Sequence, residues 1–222
     1  MTGRRLLIVE DNPQESREAV NRAVVLGIEN VTTASNLKGA LSQIEDADMI
    51  ASDLFFPAGN VDTKVYSNRF MPLYEQYERV RFPSQEGGVV LRALEQVSGV
   101  FGVTPREYVE KVMPVFNAEG STLLEAARDA VYGIKDYSKH QKFLEVKEGI
   151  ASGKNLPLGI IVAEEAKKRK IPAVVVTSAD HHDMAFSPIG GLIGVPYYDT
   201  LVDGRKNWKA GIERLKGLEE ER

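Results

Sequence analysis

Short apolar runs alternate with amphipathic stretches over the first third of the chain. Apolar runs at residues 4–9, 31–34 and 48–55 predict three buried strands. Between them, apolar side chains recur at three- and four-residue spacing over 13–26 and 37–45, which predicts two helices. Strands that alternate with amphipathic helices indicate a parallel sheet with right-handed crossovers.

The same alternation returns at the end of the chain. The pattern there predicts helices over 158–169 and 207–218 and strands at 171–176 and 195–198. Taken together, the two segments predict an α/β fold with a five-stranded, doubly wound parallel sheet flanked by helices.

Residues 58–156 interrupt this alternation, because no strand pattern persists there. Helix caps and apolar spacing predict helices instead, at 73–80, 88–97, 105–115, 122–132 and 140–151. We therefore expect residues 1–57 and 157–222 to form one α/β domain. Residues 58–156 would be an all-helical insertion between the third strand and the third helix.

Composition and charge narrow the class of protein. The 222-residue chain is 43% hydrophobic and 27% charged, which is typical of a globular protein with an apolar core. Its net charge of −4 argues against nucleic-acid binding. No apolar run has the length of a membrane span or the form of a signal peptide, so we expect a cytoplasmic protein that is not bound to a membrane. The absence of cysteine excludes thiol catalysis, cysteine-ligated zinc and disulfides.

Carboxylates follow two of the predicted strands. Glu10 and Asp11 come directly after the first strand, and Asp53 lies near the end of the third. Because parallel strands of this kind end on one edge of the sheet, the three side chains should lie close together. Clustered carboxylates repel each other unless a cation lies among them, and hard oxygen ligands suit Mg²⁺. The pattern therefore predicts a magnesium site, although the first pair alone would be more typical of a polar strand end that leads into a helix cap.

Polar side chains also follow the fourth predicted strand. Thr177 and Ser178 stand at its end, and His181 and His182 come shortly afterwards, followed by Asp183. All of them should lie on the same edge of the sheet as the carboxylates. For the two histidines a polar loop, a pH-sensitive edge of the site and a transition-metal site all stay open.

An acidic pair, a lone aspartate and a hydroxyl residue, each after its own strand, is an order that resembles the receiver domain of two-component response regulators. The resemblance covers about residues 4–57 and 157–222 and implies a flavodoxin-like fold. It implies that Glu10 and Asp11 hold Mg²⁺ and that Asp53 is both a metal ligand and the phosphorylated residue.

The resemblance also assigns roles to residues around the carboxylates. The backbone carbonyl of Phe55 would be a further metal ligand, and Thr177 would hydrogen-bond the phosphoryl group. Tyr197 or Tyr198 falls near the aromatic residue that changes rotamer on activation. Ser178, His181 and His182 would lie at the edge of the site.

The chain departs from the receiver pattern in two ways. The family places a lysine, usually followed by proline, after the fifth strand, and that position falls here near Asp199, whose charge would repel a phosphoryl group. Lys206 is the nearest downstream candidate for that lysine. The second departure is the segment 58–156, which would either cover the site or replace the usual signalling surface.

These features predict an atypical, stand-alone receiver that binds Mg²⁺, is phosphorylated on Asp53 and signals through a protein partner. The partner would be a histidine kinase or a downstream effector, and a homodimer stays open. We expect no catalysis beyond self-phosphorylation from a phosphodonor and slow autodephosphorylation.

One alternative is a pseudo-receiver, a protein-binding module without phosphorylation, which Asp199 favours. The other is a Mg²⁺-dependent phosphohydrolase, although phosphatases of the haloacid dehalogenase type carry a second aspartate where this chain has Phe55.

Overall fold

The computed structural model of the protein describes residues 4–81, 85–113, 127, 134–179 and 183–220. The chain divides into two compact units, one formed by Met1–Leu73 with Val146–Arg222 and the other by Tyr74–Glu145. The proposed insertion of residues 58–156 as a domain of its own stays a prediction. Within the part of the chain that the structure describes, no helix is long and apolar enough to cross a membrane.

The first unit contains a five-stranded sheet, formed by β1 (Arg5–Val9), β2 (Asn30–Ala34), β3 (Met49–Ser52), β4 (Ala173–Val176) and β5 (Tyr197–Tyr198). The strand order is β2-β1-β3-β4-β5, and every pairing is parallel. The predicted five-stranded parallel α/β sheet is therefore confirmed, and its strand order is compatible with a flavodoxin-like fold. Because β2 and β3 lie on opposite sides of β1, the strand order reverses there. Open α/β sheets usually bind ligands at the carboxyl edge beside such a reversal.

Helices cover both faces of this sheet. On one face, α1 (Pro13–Val25) and α8 (Trp208–Glu220) pack on alternate strand residues, forming a buried cluster that includes Leu6, Ile8, Met49, Val174, Trp208 and Ile212. On the other face, α2 (Leu37–Gln43) contacts β1, and α7 (Gly159–Lys168) contacts β3 and β4. Burial on both faces explains why the central strands are continuous apolar runs rather than alternating ones.

The first helix begins where its sequence signals place it. The side chain of Asn12 accepts hydrogen bonds from the backbone N–H groups of Gln14 (2.9 Å) and Glu15 (3.4 Å), and Pro13 occupies the first helical position. The strand-to-helix turn between β1 and α1 is therefore short and well satisfied, which fixes the residues that follow β1.

The helices between β3 and α7 differ in their bounds from the sequence prediction. Among the described residues they are α3 (Lys64–Arg81), α4 (Gln85–Val100), α5 (Pro105–Glu107), which continues as a π-helical stretch over Tyr108–Val112, and α6 (Ile134–Ala151). The start of α3 was predicted at residue 73 and is wrong, because Pro72 lies inside the helix although proline usually ends one. The predicted helix over 122–132 lies outside the described residues, apart from residue 127.

A hairpin that the sequence patterns do not predict lies between β5 and α8. Its strands, β6 (Leu201–Val202) and β7 (Arg205–Lys206), pair antiparallel and form a sheet of their own. The two turn residues, Asp203 (φ 52°) and Gly204 (φ 74°), both adopt the left-handed conformation that tight hairpin turns favour. We refer to residues 201–206 as the hairpin.

Candidate functional site

Three carboxylates meet at the carboxyl edge of the sheet, at its reversal point. Glu10 follows β1 and Asp53 follows β3, and these strands pair in a register that sets Val9 opposite Ser52. The next residue of each strand therefore lies beside its counterpart. Carboxylate oxygens of Glu10, Asp11 and Asp53 all lie within 4.8 Å of one another. The strand-end pattern in the sequence predicts this convergence.

Asp53 is held on several sides. Its backbone N–H donates to the carbonyl of Val9 at 2.8 Å, which continues the ladder of β3 and β1. Its Oδ1 accepts a hydrogen bond of 2.7 Å from the N–H of Leu54, and the hydroxyl of Ser52 donates to its carbonyl at 2.8 Å. The side chain is only 7% exposed. These contacts fix the backbone of Asp53 and one of its two carboxylate oxygens.

The two members of the acidic pair have different surroundings. Glu10 is buried, and its Oε1 accepts a hydrogen bond of 2.9 Å from the N–H of Asn12, the residue that caps α1. Asp11 is exposed. Glu10 is therefore fixed in the turn between β1 and α1, whereas the carboxylate of Asp11 is accessible from the solvent.

Lys206 lies between two of these carboxylates. Its Nζ is 2.5 Å from Oε2 of Glu10 and 2.8 Å from Oδ2 of Asp53, and its side chain is 8% exposed. The hairpin makes this contact possible, because it extends the link between β5 and α8 and returns Lys206 to the edge of the sheet. Asp199, where counting along the sequence places the lysine of a receiver, is only half-buried. The sequence identified Lys206 only as the nearest downstream candidate.

Burial and charge act against each other on these groups. Burial raises the pKa of Asp53 to about 7, although the charge of Lys206 acts to lower it. Burial also raises the pKa of Glu10, with Lys206 and the Asn12 N–H opposing the shift. Burial by itself would lower the pKa of Lys206, but the charges of Asp53 and Glu10 outweigh it and raise that pKa. Lys206 is therefore a fixed cation, whereas Asp53 titrates near neutral pH.

The site opens into a cleft of about 330 Å³. The cleft is lined by the acidic cluster and Lys206. The other lining residues are Asn12, Glu15, Ser178, Leu201 and Gly204. Because three carboxylates face a single buried ammonium group, the cluster keeps an excess of negative charge when all are ionised. Hard oxygen donors with such an excess suit a metal ion, so the acidic cluster could bind one.

The hydroxyl residues after β4 divide between the core and the cleft. Thr177 is buried, and its Oγ1 accepts a hydrogen bond of 3.1 Å from the N–H of Ala179. Ser178 is exposed and lines the cleft. The structure thus brings Ser178, rather than the side chain of Thr177, to the cleft wall. Phe55 is half-buried and is not among the described residues that line the cleft.

The remaining predicted residues lie farther from the carboxylates. Tyr198 is half-buried and packs against the core cluster beneath α8. Tyr197 is partly exposed, and its ring lies 5.2 Å from that of Phe186. His181 and His182 lie outside the described residues, so their roles stay predictions.

Sequence patterns missed one polar contact beside the cleft. The indole N–H of Trp208, the first residue of α8, donates to Oε2 of Glu15 in α1 at 3.0 Å. The ring centroid of Trp208 is also 5.9 Å from Nζ of Lys206. A glutamate in the first turn of a helix is too common to indicate such a contact, since the helix dipole alone would favour it.

Comparison of the chain with protein-family models, with curated proteins and with solved structures gave no significant match.

Proposed function

We propose that the chain is a phosphoryl-accepting receiver, in which Asp53 is phosphorylated and a protein partner responds to the change. The observation that carries the proposal is the paired contact of Lys206 with Asp53 and Glu10. An ammonium group held against a carboxylate nucleophile is well placed to stabilise the charge of a phosphoryl group in transfer. The hairpin supplies this lysine from a position that a count along the sequence does not predict.

In this proposal, Oδ2 of Asp53 attacks the phosphorus of an acyl phosphate or of a phosphohistidine on a kinase. A new O–P bond forms, and the bond from phosphorus to the donor oxygen or nitrogen breaks. The leaving group keeps the electron pair and takes a proton from water where it needs one. Because the N–H of Leu54 holds Oδ1, the oxygen beside Lys206 is the natural nucleophile. The product is an acyl phosphate on Asp53.

A divalent cation fits the donor set, since the three carboxylates offer hard oxygens in one place. Glu10, Asp11 and Asp53 would hold Mg²⁺, which would offset the negative charge of the phosphoryl oxygens. Ser178 lines the cleft, and its hydroxyl would donate a hydrogen bond to a group bound there. For Thr177 to do so, its hydroxyl would have to leave the Ala179 amide.

The proposal is tested by intact-mass analysis after incubation with Mg²⁺ and acetyl phosphate. We expect a mass gain of a single phosphate in the wild type and none in Asp53→Asn. Asp46→Asn is the matched control, because Asp46 is an exposed aspartate that precedes β3 rather than following it. Lys206→Met should be labelled more slowly, by about tenfold or more, since the ammonium stabilises the transferred charge. Equal labelling of the wild type and Asp53→Asn would reject Asp53 as the acceptor.

The pseudo-receiver is the second candidate, and one observation favours it. Both oxygens of Asp53 already have partners, Leu54 and Lys206, and the side chain is almost fully buried. In that case the cluster would be a structural ion pair, and the folded protein would bind a protein partner without being labelled.

A phosphohydrolase would instead release phosphate in excess over the protein. Phosphatases of the haloacid dehalogenase type carry a general-acid aspartate two residues after the nucleophile, and that position is Phe55 in this chain.

A further inference from the structure

The hairpin separates the acidic cleft from a second cleft. Leu201 pairs with Lys206, and Val202 pairs with Arg205. Directly opposed residues of an antiparallel pair project from the same face. Leu201 and Lys206 line the acidic cleft, whereas Val202 and Arg205 line another cleft of about 560 Å³, which Lys206 also borders. The hairpin is therefore a single layer of chain between the acidic site and the outer surface.

Apolar burial contributes little to the position of the hairpin. Leu201 is 45% exposed and Val202 is 50% exposed. Two residue pairs are too few to make a hairpin stable by itself. On the outer face, Arg205 approaches Glu18 at 3.8 Å, but the Arg205 side chain is 58% exposed, and ion pairs made by an exposed side chain contribute little.

Lys206 is the buried anchor of the hairpin. Its ammonium contacts Glu10 and Asp53 at the base of the cleft, and its side chain is almost fully buried. Removing one partner of a buried charged contact is costly, because the other charge is left without compensation. The position of the hairpin therefore depends on the chemical state of these carboxylates.

Phosphorylation would change what this anchor contacts. Once Oδ2 of Asp53 is bonded to phosphorus it carries little charge, and the negative charge lies on the outer phosphoryl oxygens. The ammonium of Lys206 must then follow that charge outward or keep only its contact with Glu10. Since Lys206 ends β7, an ammonium group that follows the charge outward also moves β7 and Leu201, which pairs with Lys206.

We propose that the hairpin is the output element of this chain, which changes position when the group on Asp53 changes because Lys206 links the two. The trigger, a phosphoryl group, rests on the proposed function, but the link between Asp53 and the hairpin does not.

The link is tested by hydrogen exchange of the hairpin amides, followed by NMR in the full chain. Asp53→Asn removes one partner of Lys206, so we expect exchange at residues 201–206 to become faster by about tenfold. Lys206→Met should have a similar effect, and Asp53→Asn should then add nothing to it, because the two residues act through one contact. Arg205→Met is the matched control, an adjacent basic residue on the opposite face, and should leave the exchange rates nearly unchanged. Unchanged protection of the β1 and β3 amides shows that each variant is folded.

The outcomes separate this inference from the proposed function. Hairpin exchange that is the same in the wild type, Asp53→Asn and Lys206→Met overturns the link, whether or not the protein is labelled. Effects of the two substitutions that simply add would also overturn it.

In wild type labelled with acetyl phosphate, we expect slower hairpin exchange, because a phosphoryl group offers Lys206 stronger charge-assisted contacts. Labelling that leaves hairpin exchange unaltered overturns the output role while the proposed function stands. Failure to label, with faster exchange in Asp53→Asn, rejects the trigger and supports the link.

Discussion

At the scale of single residues, the chemistry of the site depends on how Asp53 is placed between Glu10 and Lys206. Its carboxylate is buried beside one negative and one positive group, and the burial has the larger effect on its pKa. The Leu54 amide holds one oxygen and Lys206 the other. An ionised Asp53 therefore depends on a nearby cation, and this dependence is measurable in the free energy of unfolding.

Asp53 should make the metal-free protein less stable as the pH rises from about 4 to about 7. The pKa of Asp53 is raised from 3.8 to about 7 on folding, so the folded state holds a proton that the unfolded state has lost in this range. The stability that this proton provides is complete below the unfolded pKa and is lost as the pH rises through the folded one. The difference amounts to as much as about 4 kcal/mol for this group.

Urea denaturation of the wild type and Asp53→Asn across this pH range measures the effect. The asparagine variant lacks the titrating group, so its stability should fall less steeply with pH in the same buffers. Parallel pH profiles for the two proteins would contradict the raised pKa of Asp53.

The sequence predicted the carboxylates of the site but not their cation. Glu10, Asp11 and Asp53 follow apolar runs, and parallel strands bring such positions together whatever the details of packing. Lys206 reaches Asp53 only because a turn with two left-handed residues reverses the chain at Asp203. A contact of that kind leaves no periodic pattern in the sequence. Counting from Thr177 to the usual position of a receiver's lysine leads to Asp199 instead.

At the scale of secondary-structure elements, the site is supported by a close approach between α7 and the end of β3. Gly159, the first residue of α7, donates its N–H to the carbonyl of Leu54 at 3.0 Å. A Cβ atom at residue 159 would lie 2.2 Å from the carbonyl oxygen of Asp53 and 2.8 Å from Cα of Leu54. Only glycine allows the helix to start this close to the residue that follows the strand.

Gly159→Ala should therefore displace either the start of α7 or the backbone of Asp53. We expect a loss of about 2–4 kcal/mol in the free energy of unfolding, together with slower labelling of Asp53 by acetyl phosphate. Gly191→Ala is the matched control, because nothing lies within 4 Å of a Cβ atom built there. Urea denaturation gives the stability, and a Gly159→Ala protein as stable as the control would contradict the close approach.

Elements with long periodic patterns were predicted, and elements defined by local geometry were not. The predictions of β1, α1, α7 and α8 differ from the structure by a few residues at their ends, because each has a continuous apolar run or face. Between β4 and β5 the described residues form turns and one 3₁₀ helix, Gly190–Leu192, where glycines leave little pattern. The hairpin strands have two residues each, which is too short for any periodicity.

At the scale of the whole molecule, the first unit gathers the acidic cluster, the hairpin and the sheet reversal on one edge. The acidic cluster adds to the negative net charge of the chain, −4, and lies where a cation would reduce the repulsion among its members. Ligands that bind only the folded state stabilise it in proportion to their affinity and concentration. A bound cation should therefore stabilise the protein as a whole.

Mg²⁺ should raise the melting temperature of the wild type. At about 100 times the dissociation constant, the gain in unfolding free energy is about 2.7 kcal/mol. The gain should be smaller at pH 6 than at pH 8, because protons compete with the metal for Asp53. Asp11→Asn should lose most of the effect, whereas Asp203→Asn, an exposed aspartate in the hairpin turn, should keep it. Thermal unfolding scans with and without Mg²⁺ provide the comparison, and equal shifts in both variants would contradict a metal site at Asp11.

Locating the phosphoryl group tests the central claim most directly. Protein treated with Mg²⁺ and acetyl phosphate is reduced with borohydride, which converts an aspartyl phosphate to homoserine, and the modified residue is found by peptide sequencing in a mass spectrometer. We predict homoserine at residue 53 in the wild type and no homoserine in Asp53→Asn. Folded protein with no homoserine at residue 53, or with the label on Glu10 or Asp11 instead, would contradict the account.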